Sequence, residues 1–171
     1  MVFKLKSALM EVLTNSYKDG MIKFLKDHPE YFDEAVQLAL SDDQPYAWRS
    51  AWLLWSCIEV NDKRVRKYIN PILDCMALKK SGHKRELLKI LLKMELKEKH
   101  EAKLYDICVD NWKQINLEPS VRFTSLMTLK KMAAKYPELR DELVFLTQDH
   151  FLETLSPGIK NSVRKQFNIE D

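Results

Sequence analysis

Apolar residues along this chain recur three and four positions apart rather than alternating, and short polar breaks interrupt them, a helical pattern throughout. The first run carries Phe3, Leu5, Leu9, Val12 and Leu13 and ends near Tyr17, ahead of Asp19-Gly20. A short helix through Met21, Ile22, Phe24 and Leu25 follows. Pro29 suits the first turn of the next helix, where its missing N–H is harmless, and Phe32, Ala35, Val36 and Ala39 give that helix its apolar stripe. The polar stretch from Ser41 to Pro45 ends it.

The most apolar helix spans Tyr46 to Ile58 and sets Trp48, Trp52 and Trp55 at i, i+4 and i+7 on one face. Such a row is either a platform for a ligand or a ridge in the core, and the core is expected for Trp52. Trp48, at the helix start beside Arg49, is the one expected to be partly exposed. Val65, Tyr68, Ile69 and Ile72 mark the next helix, in which Pro71 either opens a turn or makes a kink. Lys79-Lys80-Ser81-Gly82 reads as a break, followed by helical patterns at 87–96, 102–112, 121–133 and 139–152. Ser156 is placed to cap a last helix that Pro157 begins and Phe167 closes. No segment alternates as a strand does, so the fold class is all-α.

These helices repeat. Arg49, Arg85 and Arg122 stand 36 and 37 residues apart, and Lys160 falls 38 beyond the last. Pro45, Gly82, Pro119 and Pro157 punctuate the same interval. The period predicts stacked helix pairs, an α-α superhelix of about four pairs, since each pair buries a face only against its neighbours. The reading is one repeat domain over residues 1–171, with 1–28 as N-terminal capping helices and 157–171 as the C-terminal cap.

The helix-pair length, the basic residue after each loop and the run Ala47-Trp48-Arg49-Ser50-Ala51-Trp52-Leu53-Leu54 resemble HEAT-type repeats over residues 29–167. More narrowly, they resemble the HEAT-like group that includes the bacterial alkylated-DNA glycosylases. The resemblance implies a right-handed superhelix of the HEAT/ARM-like solenoid kind. It also implies that Trp48-Arg49 match an aromatic-basic pair on the DNA-facing surface of those enzymes. Neither their catalytic aspartate nor a second cluster of aromatic and arginine residues has a match in this chain.

Composition narrows the chemistry. Only 3 glycines in 171 residues argue against a Rossmann unit, a P-loop or a turn-rich sandwich. The formal charge of +3 is too mild to mark a nucleic-acid footprint by itself, although charges can segregate onto one face. Lysine-rich clusters such as Lys63-Arg64, Lys79-Lys80 and Lys130-Lys131 would form a phosphate track if the repeats aligned them. Where acids alternate with them, as in Lys93 to Lys99, the ordinary reading is a solvated face. Cys57, Cys75 and Cys108 are isolated in apolar runs, which predicts reduced, mostly buried thiols. The opening MVFKLKSALMEVL is no signal peptide, and no run is long enough to span a membrane, so the expected setting is cytoplasmic.

No histidine or carboxylate motif points to catalysis, no metal or cofactor is implied, and the four histidines are scattered. The expected function is therefore a non-enzymatic scaffold that binds a protein partner, with nucleic-acid binding related to alkylation repair as the alternative. The candidate binding residues are Trp48, Arg49, Arg85, Arg122 and Lys160.

Overall fold

A computed structural model describes residues 7–169, so Phe3 and Leu5 of the first apolar run lie outside the described residues. The described residues form α-helices, short 3-10 turns and no strand: α1 (Ala8–Asn15), α2 (Lys18–Asp27), α3 (Phe32–Leu40), α4 (Tyr46–Cys57), α5 (Ile69–Met76), α6 (Ser81–Leu92), α7 (Glu98–Lys113), α8 (Pro119–Lys135), α9 (Arg140–Leu146), α10 (Asp149–Leu152) and α11 (Pro157–Phe167). They stack as antiparallel pairs, as the period predicts. The chain divides into two compact units at Glu95–Leu96. In the first unit α4 is the hub, packed on α1, α2, α3 and α6. In the second, α8 has that role and packs on α7, α9 and α11.

Local chemistry sets the helix starts. Ser7 Oγ accepts from Met10 N at 3.2 Å to cap α1, and Ser156 Oγ accepts from Ile159 N at 3.4 Å ahead of Pro157. Pro71 is the third residue of α5, so it opens the helix and makes no kink. Gly82 belongs to the first turn of α6 and not to the break before it. A Cβ at that position would stand 3.5 Å from Nε1 of Trp48, ordinary van der Waals contact, so the indole lies against α6.

The repeat period reappears in three dimensions as hydrogen bonds. Tyr68 to Asp33, Lys93 to Trp55, Tyr105 to Glu142, Trp112 to Leu146, Lys130 to Gln166 and Lys135 to Glu101 all join residues 34 to 38 apart. Each bond links one helix pair to its neighbour at an equivalent place, which is what a stacked repeat requires.

Several of the ties are made by cations that reach backbone carbonyls. The last carbonyls of a helix have no partner within it, and burial by the next pair removes water as a substitute. Lys79, its side chain 5% exposed, gives Nζ to the carbonyls of Leu40 and Ser41, both at 2.8 Å, and to Asp42 Oδ1 at 2.6 Å. Lys93 closes the end of α4 through Trp55 O at 2.7 Å and Ile58 O at 3.1 Å. The interspersed acids around Lys93 suggest a solvated face, but its Nζ lies 5.0 Å from the Trp55 ring centroid and donates to carbonyls.

Arg122 is the extreme case. Its side chain is wholly buried on the face of Trp112, with Cζ 4.6 Å from the ring centroid. It donates from Nε to Trp112 O at 2.9 Å, from Nη1 to Thr154 Oγ1 at 2.9 Å and from Nη2 to Phe151 O at 2.6 Å. Trp112, also fully buried, donates from Nε1 to Leu146 O at 2.7 Å. Together they join α7, α8, α9 and α10 around one polar knot. Replacing Arg122 by Met strands two buried carbonyls and is expected to cost about 2–4 kcal/mol of unfolding free energy, read from the urea midpoint. A loss under about 0.5 kcal/mol would contradict this role.

Two buried histidines couple the fold to pH. His83 donates from Nε2 to Ala39 O at 2.6 Å, which leaves Nδ1 to accept from the Gln44 amide at 3.2 Å. That arrangement needs a neutral ring, and burial, aided by nearby Lys79, holds the His83 pKa below the ordinary 6.5. His100 is buried with no hydrogen-bond partner on either ring nitrogen among the described residues, and burial lowers its pKa as well. In the unfolded chain both rings take a proton near 6.5, before the folded rings do. Stability is thus full above that pH and falls as the pH drops through the lower folded values. The urea midpoint is expected to decrease from pH 7.5 to pH 5.5, about where unperturbed carboxylates are still ionised. In His83→Gln the decrease should be smaller, and an unchanged pH slope would contradict the assignment.

Candidate functional site

In the first unit, the turn between α1 and α2 stands away from α4 and α6 and leaves a groove of about 630 Å³. The groove is the reason Trp52, expected in the core, is only half-buried. Residues 14–18 form one wall, Trp48, Arg49 and Trp52 of α4 the second, and Arg85, Glu86 and Lys89 of α6 the third. Trp48 is 38% exposed, and Tyr17 at the lip is almost wholly so.

The groove's charges divide into a satisfied set and an unsatisfied one. Glu86 is buried, with 1% of its surface accessible, and is neutralised on both oxygens. Arg85 donates from Nε and Nη2 to Oε1, each at 3.1 Å, and Lys89 Nζ donates to Oε2 at 3.2 Å. Lys89 Nζ also lies 3.7 Å from the centroid of Trp55, so this ammonium is held between a carboxylate and an indole.

Arg49 differs. It spans the groove wall and donates from Nη1 to the carbonyl of Leu13, which ties α4 to the end of α1. Among the described residues no carboxylate pairs with it. Lys18 likewise has no carboxylate partner there, and its Nζ stands 5.7 Å from the ring centroid of Trp52. Two cations without a counter-charge, one of them half-buried, thus face the same space as two indoles.

The candidates read from the sequence separate accordingly. Trp48, Arg49 and Arg85 come together in this groove. Arg122 is buried in the second unit with its donors spent on backbone and hydroxyl oxygens, and Lys160 is half-buried on α11. Helix position accounts for part of the difference. Arg49, Arg122 and Lys160 are each the fourth residue of their helix, whereas in α6 that position is the buried Lys84. Arg85, one residue on, is rotated by about 100° and turns to the groove. Sequence reasoning did not single out Lys18, Trp52, Glu86 or Lys89 as lining residues. The i, i+1, i+4 spacing of Trp48-Arg49-Trp52 and of Arg85-Glu86-Lys89 signals a shared face on each helix, but nothing local signals that the turn at residues 14–18 opposes them.

A second hollow, of about 270 Å³, lies within the second unit and has the opposite character. Glu98, Glu101, Asp106 and Glu138 line it with Tyr105 and Tyr136. Glu101 is already taken by Lys135 Nζ at 2.8 Å and by the Tyr136 hydroxyl.

None of the three cysteines is an activated nucleophile. Burial pushes the Cys108 thiol up to about 12, against hydrogen bonds from Ser125 and Thr128 that work the other way. The half-buried Cys57 and Cys75 are raised by burial too. No group of three or more His, Cys, Asp or Glu among the described residues is placed to hold a metal ion. Among the same residues no helix is long and apolar enough to cross a membrane.

No curated protein and no solved structure matches the chain. The family profile described as the HEAT repeat domain matches residues 5–169, nearly the whole length. With helix pairs stacked at the period the sequence shows and a profile match from end to end, the chain belongs to the HEAT-repeat family.

Proposed function

We propose that this chain is a non-catalytic HEAT-repeat scaffold that binds a protein partner, and that the groove of its first unit receives an acidic segment of that partner. One observation carries the reading: among the described residues Arg49 and Lys18 lack carboxylate partners while facing a groove walled by Trp48 and Trp52. An unpaired guanidinium, half out of water and with most of its donors unused, is complementary to a carboxylate. The three unpaired thiols suit a reducing, cytoplasmic setting.

The same aromatic and cationic lining is what the likeness of Trp48-Arg49 to the alkylated-DNA glycosylases brings to mind, and it makes nucleic acid the competing ligand. Charge distribution favours the peptide. A nucleic-acid track needs phosphate contacts in series, yet Arg122 is turned inward and the hollow of the second unit is lined by carboxylates. Two unpaired cations predict a salt slope of about −2 in log K against log salt, far from the −6 to −10 of an extended DNA footprint.

Fluorescence anisotropy with a labelled acidic peptide, single-stranded DNA, duplex DNA and RNA between about 50 and 200 mM salt tests this. Micromolar binding of the peptide with a shallow slope, weakened at least tenfold by Arg49→Glu, is the expected result. Tighter binding of an oligonucleotide with a steep slope would replace the reading by the nucleic-acid one.

A further inference from the structure

The groove holds more apolar wall than an acidic segment alone would use, and that surplus suggests what lies next to the acid. We infer that the groove reads a composite element, an aromatic side chain adjacent to an anionic group, with the ring on Trp48 and Trp52 and the anion on Arg49 and Lys18. The inference rests on the docking proposed above and names the chemistry of the segment that docks.

Charge alone is a weak hold here. Lys18 is exposed, and a screened surface ion pair changes affinity by no more than about fivefold. Micromolar binding of a short segment therefore needs a desolvated anchor, and aromatic side chains are the usual ones. Trp48 and Trp52, one helical turn apart on α4, present two indoles to the same space, and a third ring packs on such surfaces by stacking or edge contact. The volume of about 630 Å³ admits a ring and its charged neighbour together.

The position of Trp48 is fixed from behind by Gly82. An added Cβ there would sit 3.5 Å from Nε1 and 3.7 Å from Cδ1 of the indole, ordinary contact for Ala and a collision for anything longer. Gly82 is thus a positioning residue, distant from the ligand, that sets the width of the aromatic wall. On the other side, Arg49 is anchored by the Leu13 carbonyl through one N–H, which leaves the rest of its planar fork for the incoming anion. A carboxylate or a phosphate satisfies that fork equally in geometry, so the anion comes from a flanking Asp or Glu or from a phosphotyrosine.

Three labelled peptides titrated into the full chain by anisotropy separate the possibilities. One carries a Phe flanked by Asp residues, the second has Ala in place of that Phe, and the third has a phosphotyrosine flanked by Ala. The Phe peptide is expected to bind at least tenfold more tightly than the Ala peptide, and Trp48→Ala should bring the two to the same weak affinity. Trp48→Phe and Gly82→Ala should keep the discrimination, whereas Gly82→Leu should lose it, with far-UV circular dichroism unchanged in all four variants. A phosphotyrosine peptide tighter than the Phe peptide would identify the anion as phosphate, and a weaker one as carboxylate. Equal binding of the Phe and Ala peptides, both lost in Arg49→Glu, would overturn the aromatic anchor and leave the docking reading intact. If no peptide binds at 50 mM salt, both fall together.

Discussion

The carbonyl ends of short helices, buried by the next helix pair, are the constraint on which this molecule depends. Each pair leaves oxygen atoms that its own backbone does not satisfy, and stacking excludes the water that would otherwise do so. Lys79, Lys93 and Arg122 reach these oxygens with their charged heads. A hydroxyl or an indole donates to one acceptor, whereas an ammonium or guanidinium satisfies two or three. That economy accounts for the cations that lie in or against the core.

The same device explains how the proposed binding groove arises without a dedicated loop. Arg49 makes the tie to Leu13 that its position calls for, but α1 is short, and the turn that follows stands clear of α4. The guanidinium then spends one N–H on structure and keeps the others facing solvent. In the second unit, Arg122 at the corresponding helix position has Trp112, Phe151 and Thr154 around it and spends its donors inward. Function and stability here are two settings of one residue, decided by what closes over it. The buried Glu86 between Arg85 and Lys89 cancels one of their two positive charges, so the third wall adds a single net charge to those of Arg49 and Lys18.

Much of the architecture was legible in the sequence because it is encoded locally. Pro119 and Pro157 begin helices, Ser156 caps one, and the interval of about 37 residues follows from such punctuation, each feature acting within a turn of itself. The exceptions have a common cause. Lys79 and Lys93 read as surface residues because lysine usually is one, and only the neighbouring pair reveals the carbonyls they serve. Trp52 fits a core stripe, and its half-exposure comes from a turn across the unit. For the candidate site, Arg49 and Arg85 were readable from the repeat and Trp48 from its place at the start of α4 beside Arg49, whereas the contribution of Lys18 depends on tertiary placement that no spacing encodes.

The central claim is that the repeat's cations divide between carbonyl ties and ligand contacts, and the arginine Nε–Hε signals of the intact chain report on that division one residue at a time. Adding an acidic, aromatic peptide at low salt should shift the Arg49 signal and leave that of Arg122 both unmoved and slow to exchange with solvent. A shift at Arg122, or perturbation confined to exposed arginines such as Arg66 with Arg49 unaffected, would contradict the account.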